Sequence, residues 1–129
     1  MAFKATFEVD SKEYRIIKCS YSLHQAVDDT GRPSSTARGG TVNIVLESTD
    51  DTSLFEWMCD SYMNKECKII FNKRDEDSKL KELVITEAYM VEYSESFDSD
   101  NDLAMVQSFS LSAHSISMGD GELENEWAL

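Results

Sequence analysis

The chain has 129 residues, with 12 lysines and arginines against 25 aspartates and glutamates, for a net charge of −13. That length fits one domain, able to bury roughly two-thirds of the surface its unfolded chain exposes. The charge argues against nucleic acid, whose backbone is bound by clustered Lys and Arg, and against anionic membranes. No stretch approaches ~20 consecutive apolar residues, so no membrane insertion is expected. Met1 to Val9 alternates like a strand and lacks the apolar run of a cleaved secretory signal. The three cysteines, Cys19, Cys59 and Cys67, form no Cys-x-x-Cys pair. They read as reduced thiols of a protein that folds in the cytoplasm, with neither a disulfide framework nor a zinc site.

Phe3, Ala5, Phe7 and Val9 mark a first strand, and Asp10-Ser11-Lys12 a hairpin turn. A second strand is expected over Glu13 to Val27, with a change of phase. Tyr14 and Ile16 are even-numbered, while Ile17, Cys19, Tyr21 and Leu23 are odd, which is how a β-bulge reads in sequence. Residues 28–40 (DDTGRPSSTARGG) hold the only proline and three of the five glycines, and read as a long polar loop. Thr41 to Glu47 is a short strand with Val42, Ile44 and Leu46 on one face.

One helix is expected, from about Thr52 to Met63. Asp50 and Asp51 precede it, Ser53 and Glu56 have capping-box spacing, and Leu54, Met58 and Tyr62 form its apolar stripe. Trp57 lies off that stripe and is expected to face outward, toward a neighbouring protein. Lys68 to Asn72 is a short strand, and Arg74 to Asp77 a charged turn. Two very long strands close the chain, Leu80 to Phe97 and Leu103 to Met118, two to three times the usual ~5–6 residues. The first places Leu83, Ile85, Tyr89, Val91, Tyr93 and Phe97 on one face. It is also apolar on its other side, where the helix is expected to pack. The second slips phase between Ala113 and Ile116. Residues 119–129 read as a tail. Two slips in long strands favour a single-domain β-barrel or an orthogonal sandwich, mainly β with one helix.

Chemistry-bearing motifs are absent. Asp98, Asp100 and Asp102 imitate the start of a calcium loop, but Leu103 and Phe109 stand where glycine and the bidentate acid are required. His24 and His114 have no partners at ligand spacing. No catalytic residue, cofactor site or metal site is expected. Ser94, Ser96, Ser108, Ser110 and Ser112 sit opposite apolar faces. They read either as ordinary water-facing positions or as a smooth polar wall lining a channel. An alternative for the whole chain is a monomeric barrel that binds a small ligand, which would need an interior pocket.

Four stretches and the C-terminus carry a resemblance: Lys18 to Gln25 (KCSYSLHQ), Gly31 to Ser35 (GRPSS), Ser48 to Met58 (STDDTSLFEWM), Glu87 to Phe97 (EAYMVEYSESF) and Glu124-Asn125-Glu126-Trp127. The chain resembles the type VI secretion tube family, TssD or Hcp, in its divergent Bacteroidetes-type branch. The resemblance implies a β-barrel of two antiparallel sheets with a helix alongside. It also implies homohexameric rings stacked into a hollow tube, with a contractile sheath, spike and baseplate proteins and effector cargo as partners, and export without a Sec signal after assembly in the cytoplasm. Tubes of contractile phage tails and extracellular injection systems share the fold and are the nearest alternative. The candidate inter-subunit contacts on this reading are Arg32, Pro33, Arg38, Gly39, Gly40, Trp57 and Trp127, and the five serines become candidate lumen residues.

Overall fold

A computed structural model of the chain describes residues 3–73, 79–100, 102 and 105–125. The charged turn at Arg74 to Asp77, Leu103 and Trp127 lie outside the described residues. Seven strands and one helix follow in order: β1 (Phe3–Val9), β2 (Lys12–Tyr21), β3 (Thr41–Glu47), α1 (Ser53–Cys59), β4 (Asn64–Lys73), β5 (Lys79–Phe97), β6 (Met105–Met118) and β7 (Gly121–Glu124). Every pairing is antiparallel. The sheet runs β3-β2-β1-β4-β5-β6-β7, and a further pairing of β3 with β6 closes six strands into a barrel. The two expected sheets are thus one continuous sheet bent at corners.

The corners sit where the sequence changes phase. In β2 the register against β3 shifts between Ile16 and Lys18, so Ile17 is an extra residue at the expected bulge. In β5, Thr86 and Glu87 together oppose Glu66, because Lys65 pairs with Ala88 and Cys67 with Ile85. Glu87 takes φ 49 there, and the buried set switches from Leu83 and Ile85 to Ala88 and Met90. β6 changes phase at the same level, from Ala113 to Ile116, while its register to β5 stays unbroken. Neighbouring strands therefore turn together. A second β5 bulge at Val91 shifts the register between Met90 and Glu92. The single-face expectation for β5 is corrected accordingly: Val91 and Phe97 are exposed.

The barrel is filled by Phe7, Val42, Ile44, Leu46, Ile69, Ile85, Phe109 and Leu111, all essentially buried, with Phe7 and Phe109 rings 5.5 Å apart. Among the described residues, these side chains occupy the interior that the monomeric ligand-binding alternative would need as a pocket.

The helix is shorter than expected. Asp60 ends it in an extended conformation, and its Oδ1 accepts the Tyr62 N–H at 3.1 Å, an Asx turn competing with another helical turn. Thr52, not Ser53, is the N-cap residue, and the Ser53 N–H donates to Asp51 Oδ1 at 2.8 Å instead. The buried face is Leu54 and Trp57, at 2% and 1% exposure, while Tyr62 is 89% exposed. Trp57 thus faces inward, contrary to expectation. Its Nε1 donates to Met63 O at 2.8 Å, and Lys65 Nζ lies 5.4 Å from its ring. The expected packing on the outer side of β5 is also corrected. Phe55 meets Tyr93 edge-on at 5.9 Å, and Tyr93 pairs with the buried Phe109, so they share the core face. α1 covers the barrel on that side, beyond the level at which β4 begins beside Tyr89.

Candidate assembly surface

Two surface features stand out. The first is an arm over residues 22–40. The strand expected to reach Val27 ends at Tyr21, and the chain then folds back on itself. His24 and Arg38 exchange backbone bonds of 2.8 and 2.7 Å, and the Ser34 N–H donates to Ala26 O at 2.8 Å. At the tip, Asp28 Oδ1 accepts from the Thr30 N–H, the Thr30 hydroxyl and the Arg32 N–H, which lowers the Asp28 pKa. The arm is ordered by its own hydrogen bonds and not by a core. Leu23 and Val27 remain 56% and 60% exposed, and Arg32, Pro33 and Arg38 are exposed beside them.

Its root is a packed junction. β6 gives Val106 to Ser112 to β3 and Ser115 to Met118 to β7 along the same edge. Between them the Ala113 N–H donates to Gly40 O at 2.8 Å, and Asn125 Nδ2 donates to Gly39 O and Ala113 O, both at 3.0 Å. Gly40 has φ 97, and a Cβ there would meet Asn125 Nδ2 at 2.5 Å. Gly40 and Trp57 are therefore buried within the chain, which corrects their assignment as inter-subunit contacts. Gly39 is half-buried at the same root, against Leu23. The sequence signal for this role of Gly39-Gly40 was the need for backbone freedom where loop meets strand. The partner residue, Asn125, was marked only by its place in the C-terminal stretch that carries the resemblance, which says nothing of this contact.

The second feature is a polar wall, the outward face of β2, β3, β6 and β5. Cross-strand register puts Lys18, Val45, Ser108 and Ser94 in one row and Ser20, Asn43, Ser110 and Glu92 in the next. Ser112 continues the face beside Thr41, and Ser96 beside Val106. All five serines singled out in the sequence share this face. Ser110 Oγ donates to Asn43 Oδ1 at 2.6 Å. The wall is flanked by two strand edges. β1 pairs with β2 only as far as Arg15, and β4 reaches β5 only as far as Tyr89. Beyond those points no strand pairs with the outer edge of either, among the described residues. Open edges of this kind are templates for another chain.

The surroundings of the titratable groups are structural. Burial raises the Cys67 thiol to about 12 and lifts Cys19. Tyr14 is raised to about 12, first by burial and further by its hydrogen bond to Asp51 and that residue's charge. Its hydroxyl donates to Asp51 Oδ2 at 2.7 Å. Asp51 in turn is held well below the usual carboxylate range, chiefly by that bond and by the Ser53 N–H. Lys12 Nζ sits 3.1 Å from the same oxygen. The group ties α1 to the β1–β2 hairpin.

Known proteins agree with this architecture. Residues 1–128 match the family described as hemolysin coregulated protein Hcp (TssD). Hcp1 from Flavobacterium johnsoniae is 44% identical, superposes with a TM-score of 0.90, and the match covers 95% of this chain and 99% of that one. Hcp1 from Salmonella typhimurium, 13% identical over 92% of this chain and 86% of its own, has a TM-score of 0.74 and shares the fold. So does a chain of an extracellular contractile injection system, the PVC sheath–tube complex, at 18% identity, TM-score 0.60, and coverage of 90% and 88%. No curated protein matches the sequence. The chain belongs to the Hcp (TssD) family and is a structural subunit of the type VI secretion tube.

Proposed function

We propose that six copies of this chain close into a ring with the serine wall turned to the bore, and that the arm carries one ring onto the next. The observation that carries this reading is the wall with an open strand edge on each flank. Its four strands alternate in direction, so β2 and β5 run oppositely. Copies related by rotation can then join β5 to β2 antiparallel, without interrupting the sheet. Small hydroxyl side chains suit a bore through which effectors must slide without sticking. The arm is suited to stacking because its backbone is already ordered, so docking costs little further entropy. Arg32 and Arg38 at its exposed surface are fit to meet acidic groups of an adjacent subunit. A contractile sheath around the tube, spike and baseplate proteins at its tip, and assembly in the cytoplasm before export complete the proposal.

Negative-stain microscopy of the purified protein tests it. Six-fold rings with a central hole are expected, each subunit burying roughly 800 Å² or more against a neighbour. A species that stays monomeric by light scattering across micromolar concentrations would overturn it.

A further inference from the structure

We propose that Lys18 of each copy pairs with Glu92 of its neighbour across the seam where β2 meets β5. This rests on the ring reading above and names the contact that sets its register. The polar wall is almost uncharged, and its charged side chains divide into two kinds. Arg15 and Glu47 satisfy one another within the chain, at 3.5 Å. Glu95 belongs to the opposite face, since it pairs with the buried Gln107, and it accepts the Ser48 hydroxyl at 2.7 Å. Lys18 and Glu92 make no ion pair among the described residues. They stand on the two edge strands of the wall, in adjacent rows. Within one chain three strand spacings separate those strands, roughly 14 Å, too far for them to touch.

The edges match in more than charge. Each carries a bulge with an exposed apolar residue followed by the charged one, Ile17-Lys18 on β2 and Val91-Glu92 on β5. Ile17 is 39% and Val91 53% exposed. Joined antiparallel, two bulged edges bring an apolar pair and an opposite-charge pair together, directly or one row apart. Both offsets lie within reach of a lysine chain. A second copy is thus the occupant to which these edges are complementary.

Charge reversal tests the pairing. Lys18→Glu and Glu92→Lys each set like charges at every seam, and the concentration at which rings form should rise about tenfold or more. The double variant restores opposite charges and should assemble within about threefold of the natural protein. Circular dichroism confirms that each variant is folded. Independently, a zero-length carbodiimide applied to the natural protein should join Lys18 to Glu92 in a cross-link seen only in oligomers. Reversals that assemble normally, a double variant that fails to recover, or rings whose cross-links omit this pair would overturn the seam contact while leaving the ring intact. A natural protein that forms no ring would instead overturn the ring reading itself.

Discussion

Asp10 and Ser11 make the β1–β2 turn with φ 53 and φ 63, the left-handed region that a two-residue hairpin demands and that suits Gly better than Ser. Ser11→Gly should therefore raise stability by about 0.5–1 kcal/mol, read from the shift in urea midpoint at unchanged slope. The Tyr14–Asp51 bond gives a pH window. Asp51 titrates lower in the folded chain than its ordinary value, so its stabilisation is present above about pH 4 and lost as pH falls. Tyr14 titrates higher, at about 12, so its contribution is present below about pH 10 and lost as pH rises toward that value. In a Trp127→Phe background, Trp57 fluorescence should hold steady between those limits and change outside them. Asp51→Asn should flatten the acid limb. An acid limb unchanged by that substitution would show that the carboxylate does not tie down α1.

At the scale of elements, the seven-residue α1 cannot be stable on propensity alone and depends on what it buries. Leu54→Ala should cost ~2–5 kcal/mol, since the side chain is almost fully buried. Phe55→Ala, at an exposed position, should cost much less. Equal losses in thermal melts would mean the buried face is misassigned. At the other end of the barrel, Gly40 stands where β6 passes from β3 to β7, with a positive φ and no room for a Cβ. Gly40→Ala should destabilise by more than ~1 kcal/mol and loosen the arm's root, seen as faster amide exchange at Ala113.

For the whole molecule, charge and stacking oppose each other. Every subunit carries −13, so rings should form at lower protein concentration as salt rises toward physiological strength, where the Debye length falls to about 8 Å. Sedimentation across a salt series checks this, and weaker assembly with added salt would contradict it. Replacing residues 28–38 by a short Gly-Ser linker should leave each barrel folded, because none of Asp28 to Arg38 is buried. Stacked tubes should then be lost while single rings survive. A linker variant that still builds long tubes would make the arm dispensable.

Alternation and its phase slips narrowed the fold to a β-barrel or an orthogonal sandwich with one helix, because side chains on a strand point to alternate faces and a bulge must show as an extra residue. The Ile16–Ile17 slip marks such a bulge, whereas the Ala113–Ile116 slip follows the corner that a bulge makes in the neighbouring β5. The serine face was legible for the same reason, and the family was legible in the stretches around Lys18, Gly31, Ser48 and Glu87. Tertiary structure decided the rest. Trp57 turns inward because Leu54 and Trp57, with Met58 half-buried beside them, face the core once Asp60 stops the helix short of Tyr62. Val91 turns outward because a bulge in β5 falls among residues apolar on both sides, where no change of pattern marks it. The open edges of β2 and β5 depend on where β1 and β4 part from them, a matter of long-range pairing that no local periodicity records.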